Sequence, residues 1–192
     1  MSNFIVRAAK PADESAVLAL VQSEMTAHQG VDPRFQLRAD AAPRYALYLH
    51  DRLRENDSSV FVAEDNGVVI GAAIGSIRIQ EAFFEPRRFG YVSDLVVDPA
   101  RRREGVGRAL WDRVALWFRG LGVGVVRLHV AAHGGAAKAF WDSVHAEPFL
   151  VESWIDLPAV GVAEVSADVN SAGQAAGVAA TPATGRGEGG KP

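Results

Sequence analysis

The chain has 192 residues, of which 48% are hydrophobic and 22% are charged, and its formal net charge is −3. This composition is typical of a globular domain with a core, and it gives no general attraction to nucleic acid or to anionic membranes. The absence of cysteine excludes a disulfide framework, a cysteine-ligated zinc site and a thiol nucleophile.

The first half of the chain is predicted to form a strand, two helices and a hairpin. A β-prone run, Phe4–Ala9, precedes a helix that opens near Pro11, and a second helix is predicted over residues 43–54. The dipeptide Asn66-Gly67 separates two runs of β-forming residues and predicts a hairpin turn. The apolar residues at helical spacing in the two helices are Val17, Leu20, Val21, Met25, Tyr45, Leu49 and Leu53.

The second half alternates strands and helices. A strand is predicted over Arg87–Pro99, another over Val123–Ala131, and a final one over Glu147–Leu157. Two helices separate these strands, and the second is predicted over Gly134–His145. A helix between two strands implies a parallel pair, whereas a hairpin implies an antiparallel one, so we expect a mixed sheet with helices on its faces. The buried stripe of the first of these helices is predicted to be Val106, Leu110, Val114, Trp117 and Leu121.

The composition changes after Leu157. Pro158–Pro192 is rich in Ala, Gly, Ser, Thr and Pro and contains no aromatic residue. Such a segment cannot bury enough apolar surface to offset the entropy lost on ordering. We therefore expect one domain over residues 1–157 and a disordered tail over residues 158–192.

A glycine-rich turn joins the strand that ends at Pro99 to the next helix. It contains two glycines, Gly105 and Gly107, and four nearby arginines. The first N–H groups of a helix have no partner within it and the helix dipole is positive there, so an anion is favoured. Glycine lets that anion approach the backbone. The pattern predicts a phosphate cradle, although a solvated basic turn explains this stretch alone equally well.

This turn resembles the signature of the GNAT N-acetyltransferases, Arg/Gln-x-x-Gly-x-Gly/Ala. The matching residues run from Arg102 to Gly107 and follow the strand sequence DLVVDP. The resemblance extends to VFVAEDNGVVIGAA and VVRLHVAAHGGAAKAFW, and covers roughly Phe4 to Leu157. It implies an α/β (α+β) GNAT fold, with a mixed, mostly antiparallel sheet of six to seven strands that is splayed between the fourth and fifth strands and flanked by about four helices.

The resemblance also implies acetyl-CoA as co-substrate, without a metal. In the family, its pyrophosphate lies on the N–H groups of the glycine loop and its pantetheine pairs with the free edge of the fourth strand. A strand N–H near Leu95 would polarise the thioester carbonyl, as an oxyanion hole does. The cofactor-binding residues that the resemblance implies are Leu95, Val96, Val97, Arg102, Arg103, Glu104, Gly105, Val106, Gly107, Arg108, Gly134, Ala137 and Trp141.

The match to the family weakens after the fifth strand. Gly134 stands where the family often has Asn, and Trp141 stands where it has a Tyr that protonates the CoA sulfur. An indole N–H donates a hydrogen bond but is no acid at neutral pH, which leaves that role to water. The closing Gly-Phe of the family is replaced by His145-Ala146, so the sequence leaves the end of this helix undefined.

Three residues are candidates for the base that deprotonates the amine: His129, Asp94 and Tyr91. His129 is favoured because an imidazole is neutral at pH 7 without a special environment; some ribosomal-protein-acetylating members have Glu at the matching place. Asp94 is an acid in an apolar strand, which a salt bridge would also explain. Strict alternation puts it on one face with Val92 and Val96. For Tyr91 the alternative role is packing.

The segment between the first two helices is expected to recognise the acceptor, with His28, Asp32 and Phe35 as candidate residues. The expected activity is transfer of an acetyl group from acetyl-CoA to a primary amine of a small molecule or peptide. The alternative is a GNAT-fold module that binds acyl-CoA for regulation, without turnover. No nucleic-acid or membrane partner is expected, a homodimer is left open, and the absence of a leader-like or membrane-spanning run favours the cytoplasm.

Overall fold

The computed structural model describes residues 3–157, in which five strands form one sheet in the order β1-β2-β3-β4-β5. The first three pairings are antiparallel, and β4 pairs with β5 in parallel. The mixed, mostly antiparallel sheet is thus confirmed, with five strands instead of six or seven. The strands are β1 (Ile5–Ala8), β2 (Ser58–Asp65), β3 (Val68–Ile79), β4 (Arg88–Val97) and β5 (Val126–Leu128).

Four helices flank the sheet, two on each face. Short 3-10 turns precede the first and third of them, at Pro11–Asp13 and Pro99–Arg101. On one face lie α1 (Glu14–Gln29) and α2 (Ala41–Arg52), and on the other lie α3 (Val106–Gly120) and α4 (Gly135–Ser143). Burial of the periodic apolar residues explains these positions: those buried are Val17, Val21, Tyr45, Leu49, Val106, Leu110 and Val114.

A bulge in β4 changes which side chains share a face. Ile74 of β3 pairs with Asp94, but Gly75 pairs with Val92, so Ser93 is an extra residue in β4. Val92 packs into the cluster on the α3/α4 face, whereas Val96 packs into the cluster on the α1/α2 face. The strict alternation expected for this strand is therefore wrong, because one inserted residue reverses the facing of everything before it.

The parallel strands β4 and β5 pair only over a short distance. The pairs are Gly90 with Val126, Tyr91 with Arg127 and Val92 with Leu128. Beyond the bulge the strands diverge, since a bulge bends its strand and increases its twist. The edge of β4 that faces β5 is consequently unpaired from residue 93 to residue 97 within the described chain, and β5 is shorter than the predicted Val123–Ala131.

The predicted final strand does not form: residues 147–157 adopt neither strand nor helix. The chain divides after Glu147 into two units, and all helices and strands described above belong to the first. In the second unit, Phe149, Val151 and Ile155 are exposed by 74–89%. An alternating apolar pattern specifies which side chains would share a face, but it does not supply the hydrogen-bonding neighbour that a strand needs.

The structure defines the end of α4 at His145-Ala146. His145 has φ 64°, the left-handed conformation that usually favours glycine after a helix. The N–H of Ala146 donates to the carbonyl of Trp141 at 3.0 Å, and its side chain packs against the core. His145-Ala146 therefore closes the helix without a glycine.

The predicted tail, Pro158–Pro192, lies outside the described residues. Within residues 3–157, no helix is both long enough and apolar enough to cross a membrane.

Candidate functional site

The glycine turn presents backbone N–H groups to open space. Asp98 accepts a hydrogen bond from the N–H of Ala100 at 2.9 Å, which holds the chain as it leaves β4. Arg103 and Gly105 both have positive φ, 68° and 87°, and α3 then begins at Val106. Among the described residues, no side chain caps this helix, and a Cβ added to Gly105 would meet no atom within 4 Å. The turn can therefore accept an anion at the positive end of α3.

The arginines of this turn are mostly engaged with acids. Arg103 is exposed and forms no ion pair within residues 3–157. It is therefore the arginine of the turn that remains available to an anion. The other three are paired: Arg101 with Asp65 at 2.7 Å, Arg102 with Glu24 at 2.8 Å, and Arg108 with Asp112 at 2.9 Å.

The start of α3 meets the unpaired edge of β4 and the side of α4. A Cβ added to Gly107 would lie 3.4 Å from Phe140, 3.6 Å from Leu95 and 3.7 Å from Val97. An apolar wall thus continues from the anion-accepting turn along the free strand edge. This arrangement can hold a phosphate at the helix start and an amide-bearing chain along residues 95–97, where β4 has no pairing strand on that side and the Arg102 Nε lies 3.4 Å from the Val97 carbonyl oxygen.

At the start of α4 the structure places Gly134 just before the helix and Ala137 on its exposed surface. Trp141 is only 9% exposed and packs edge-to-face against Trp111, with ring centroids 5.5 Å apart. It lines a cavity of about 280 Å³ between α3, α4 and β5. Phe140, instead, is the aromatic residue of α4 that stands beside Gly107.

We expect Trp141→Phe to affect stability more than turnover. The smaller ring loses packing against Trp111, at a cost of about 1–3 kcal/mol in the free energy of unfolding. No proton passes through an indole, so acetyl transfer should change less than about threefold. Denaturant unfolding and an assay of CoA release measure the two effects. A large loss of turnover at unchanged stability would contradict this.

The bulge of β4 brings Ser93 and Asp94 to the face covered by α2. Tyr48 donates a hydrogen bond from its hydroxyl to the Ser93 Oγ at 2.9 Å. The Tyr45 hydroxyl is buried beside Asp94 and has no hydrogen-bond partner of good geometry among the described residues. Burial raises the pKa of the Asp94 carboxyl, and the nearby hydroxyl groups of Ser93 and Tyr45 only oppose that rise. Burial, and then the charge of Asp94, raises the pKa of Tyr45.

We expect the Asp94→Asn variant to be more stable than the unsubstituted protein, by a difference that grows as pH rises. A carboxyl with a raised folded-state pKa contributes stability that is present at low pH and lost as pH increases through that pKa. The neutral amide has no such loss. Below about pH 4 the free energies of unfolding of the two proteins should therefore differ only by a small constant. Above that pH the difference should grow, by on the order of 1 kcal/mol at neutral pH. Denaturant titrations between pH 3 and 8 test this, and a parallel pH dependence for both proteins would exclude it.

Tyr91 and His129 form a pair where β4 and β5 part. The Tyr91 hydroxyl lies 3.1 Å from the His129 Nδ1. His129 immediately follows β5 and is exposed. The structure therefore brings two of the three base candidates together and keeps the third, Asp94, on the other side of the bulge.

The candidate acceptor residues also lie together. His28 lies in the last turn of α1 and stacks on Phe35, with ring centroids 5.3 Å apart. Asp32 accepts a hydrogen bond from the Arg34 Nε at 2.8 Å, and this contact holds the Asp32 pKa well below its usual range.

Four polar residues on the sheet face covered by α1 and α2 are not predicted as site residues from the sequence: Tyr45, Tyr48, Arg78 and Ser93. Helical spacing predicts only a core position for Tyr45 and predicts no role for Tyr48. A buried tyrosine usually needs a partner for its hydroxyl, and this was the available signal. Arg78 is the second-last residue of β3, and nothing in its local sequence distinguishes it from a solvated strand end.

Comparison with known proteins gives one family and many similar structures. The family described as Acetyltransferase (GNAT) family matches residues 20–145. No match was found among curated protein sequences.

Three solved structures illustrate the likeness in fold. A mutant of the BH1408 protein from Bacillus halodurans is 22% identical, with a TM-score of 0.68 over 81% of this chain and 99% of that chain. A predicted acetyltransferase from Clostridium acetobutylicum, solved with acetyl-CoA, is 16% identical, with a TM-score of 0.65 over 81% and 96%. The aminoglycoside 6'-N-acetyltransferase AAC(6')-IG from Acinetobacter haemolyticus is 18% identical, with a TM-score of 0.64 over 81% and 99%. At these identities the likeness concerns the fold alone.

Proposed function

Because the chain belongs to the acetyltransferase (GNAT) family, we propose that it transfers the acetyl group of acetyl-CoA to a primary amine of a small molecule or peptide. One observation carries this proposal: the free edge of β4 runs directly into the open N-terminus of α3. A strand edge with unpaired backbone groups and a glycine turn with unpaired N–H groups together fit a ligand with amides at one end and phosphates at the other.

The residues present fit acetyl-CoA in both parts of the cleft. The N–H groups from Arg103 to Arg108 would bind the pyrophosphate. The Arg103 guanidinium would add a positive charge, whereas the charges of the neighbouring arginines are already neutralised by acidic side chains. The backbone of Leu95, Val96 and Val97 would pair with the pantetheine amides. The bound thioester supplies the activated acetyl group, and a β4 N–H near Leu95 would stabilise negative charge on its carbonyl oxygen.

Deprotonation of the acceptor is assigned to His129. Its imidazole stands where β4 and β5 separate, beside the free strand edge, and Tyr91 orients its Nδ1. With Nδ1 engaged by Tyr91, the Nε2 is the atom that would take the proton from the ammonium. Asp94 lies on the opposite side of the bulge, enclosed by α2, and is assigned to the floor of the acceptor pocket.

Release of free CoA distinguishes turnover from binding alone. The protein is incubated with acetyl-CoA and a panel of amines, and thiol release is followed in parallel with calorimetric titration of acetyl-CoA. Amine-dependent release supports the transferase. Micromolar binding without release by any amine supports the alternative, a regulatory module, which the missing tyrosine at position 141 favours. Failure to bind acetyl-CoA would contradict both.

A further inference from the structure

On the sheet face covered by α1 and α2, which we call the acceptor face, Arg78 has no acidic partner within residues 3–157. Arg78 places its Cζ 3.7 Å from the centre of the Tyr91 ring, and it forms no ion pair within residues 3–157. Stacking on a ring uses the face of the guanidinium and leaves its N–H groups free at the edge. The Arg78 side chain is therefore held in place but unneutralised.

This charge lies beside the groups assigned to the acceptor. The Tyr91 ring, on which Arg78 stacks, contacts His129. Burial raises the pKa of Tyr48, and the positive charges of Arg52 and Arg78 oppose this rise. Arg78 is thus within electrostatic reach of the Tyr48–Ser93 pair. Arg127, the cross-strand neighbour of Tyr91, adds a second positive charge to the same face.

The acids of the acceptor segment do not offset this charge. Asp32 is held by Arg34, and Glu24 is held by Arg102. A polycationic acceptor would therefore find the carboxylates of this segment, Asp32 and Glu24, already paired, and would meet the arginine on β3. An oxyanion would meet two or more N–H donors of the guanidinium in fork geometry.

We propose that the acceptor amine also carries an oxyanion, a carboxylate or a phosphate, which binds the Arg78 guanidinium while the amine approaches His129. This inference rests on the proposed acetyltransferase activity and names the acceptor class for the same site. It separates this chain from an enzyme built for polycations such as aminoglycosides.

Matched amines test the inference. The probes are lysine against 1,5-diaminopentane, phosphoethanolamine against ethanolamine, and kanamycin as a polycation. We expect kcat/KM to favour the oxyanion-bearing member of at least one pair by about 10- to 100-fold, the range for a hydrogen bond to a charged group. A preference for lysine over 1,5-diaminopentane identifies the oxyanion as a carboxylate. A preference for phosphoethanolamine over ethanolamine identifies it as a phosphate. Equal rates within both pairs, or a preference for kanamycin, would overturn the proposal.

Two variants connect the preference to Arg78. Arg78→Met should reduce the ratio within the preferred pair to near one, and Arg78→Lys should retain part of it. Arg113→Met is the matched control, because Arg113 also stacks on an aromatic ring, with its Cζ 5.4 Å from the centre of Phe61, but on the α3 face. An unchanged ratio in Arg78→Met, or an equal fall in Arg113→Met, would refute the assignment.

A binding measurement keeps this proposal separate from the proposed activity. Lysine and phosphoethanolamine are titrated by calorimetry into protein saturated with CoA, with Arg78→Met alongside. If no amine is acetylated, the proposed function fails, but loss of the binding heat in Arg78→Met still supports the oxyanion site. Equal or absent heats in both proteins contradict the site whether or not turnover occurs.

Discussion

Gly107→Glu is expected to abolish acetyl-CoA binding while leaving the fold intact. The added Cβ would make ordinary contacts, at 3.4 Å from Phe140 and farther from Leu95 and Val97, so the backbone can keep its conformation. The carboxylate would then lie at the start of α3, where the pyrophosphate is proposed to bind, and would compete for the same N–H groups. We expect affinity to fall by about 100-fold or more, which corresponds to about 3 kcal/mol.

The best control for this variant is Gly120→Glu. Gly120 ends the same helix, and a Cβ there meets no atom within 4 Å. Calorimetry with acetyl-CoA and thermal unfolding of both variants separate loss of binding from loss of structure. Unchanged affinity in Gly107→Glu would remove the pyrophosphate assignment. Gly105 is a less clean position, because its φ of 87° would strain any other residue by about 1–2 kcal/mol.

The helices and the succession of the first five strands along the chain were predictable because their signals are local. Burial of Val106, Leu110 and Val114 follows from side-chain period, and the Asn66-Gly67 turn follows from the positive φ that a tight hairpin turn requires. The prediction of Leu121 as a buried residue of α3 is wrong, because the helix ends at Gly120 and Phe118 is buried instead. Asn66 and Gly67 have φ of 49° and 81°. Such features depend on neighbours a few residues away, which the sequence itself displays.

The bulge and the missing final strand were not predictable by the same reasoning. Ser93 is an extra residue in the pairing of β4 with β3, and the run YVSDLVV contains no local mark of this bulge. A strand likewise requires a neighbour, which alternation within Glu147–Leu157 cannot provide. Both errors arise from pairings between segments that are distant in sequence.

The candidate site shows the same division. The glycine turn is predictable from its own residues, but the ion pairing of its arginines is not. Arg101 pairs with Asp65 and Arg102 with Glu24, which lie 36 and 78 residues away in the sequence. The Tyr91–His129 contact depends on the parallel register of β4 and β5. Sequence therefore indicated which residue types surround the cleft, and the topology determined which of them remain free to act.

His129→Ala is expected to lower kcat/KM by about 10²–10⁴-fold, the usual contribution of a general base. The loss should come with a change in the pH profile: the acidic limb, where the wild-type imidazole becomes protonated and cannot accept a proton, should disappear. Tyr91→Phe removes the contact to Nδ1 but leaves the imidazole, so it should keep the limb and lose less activity.

Asp94→Asn provides the decisive comparison, because Asp94 is the other acid–base candidate near the cleft. If His129 is the base, Asp94→Asn retains the acidic limb, whatever its effect on the acceptor pocket. A limb that persists in His129→Ala and vanishes in Asp94→Asn would transfer the role to the carboxyl, whose raised pKa would then place the limb above the ordinary carboxyl range. Full activity in both variants would mean that water deprotonates the amine. Catalysis would in that case rest on positioning by the cleft and on polarisation of the thioester by the β4 edge.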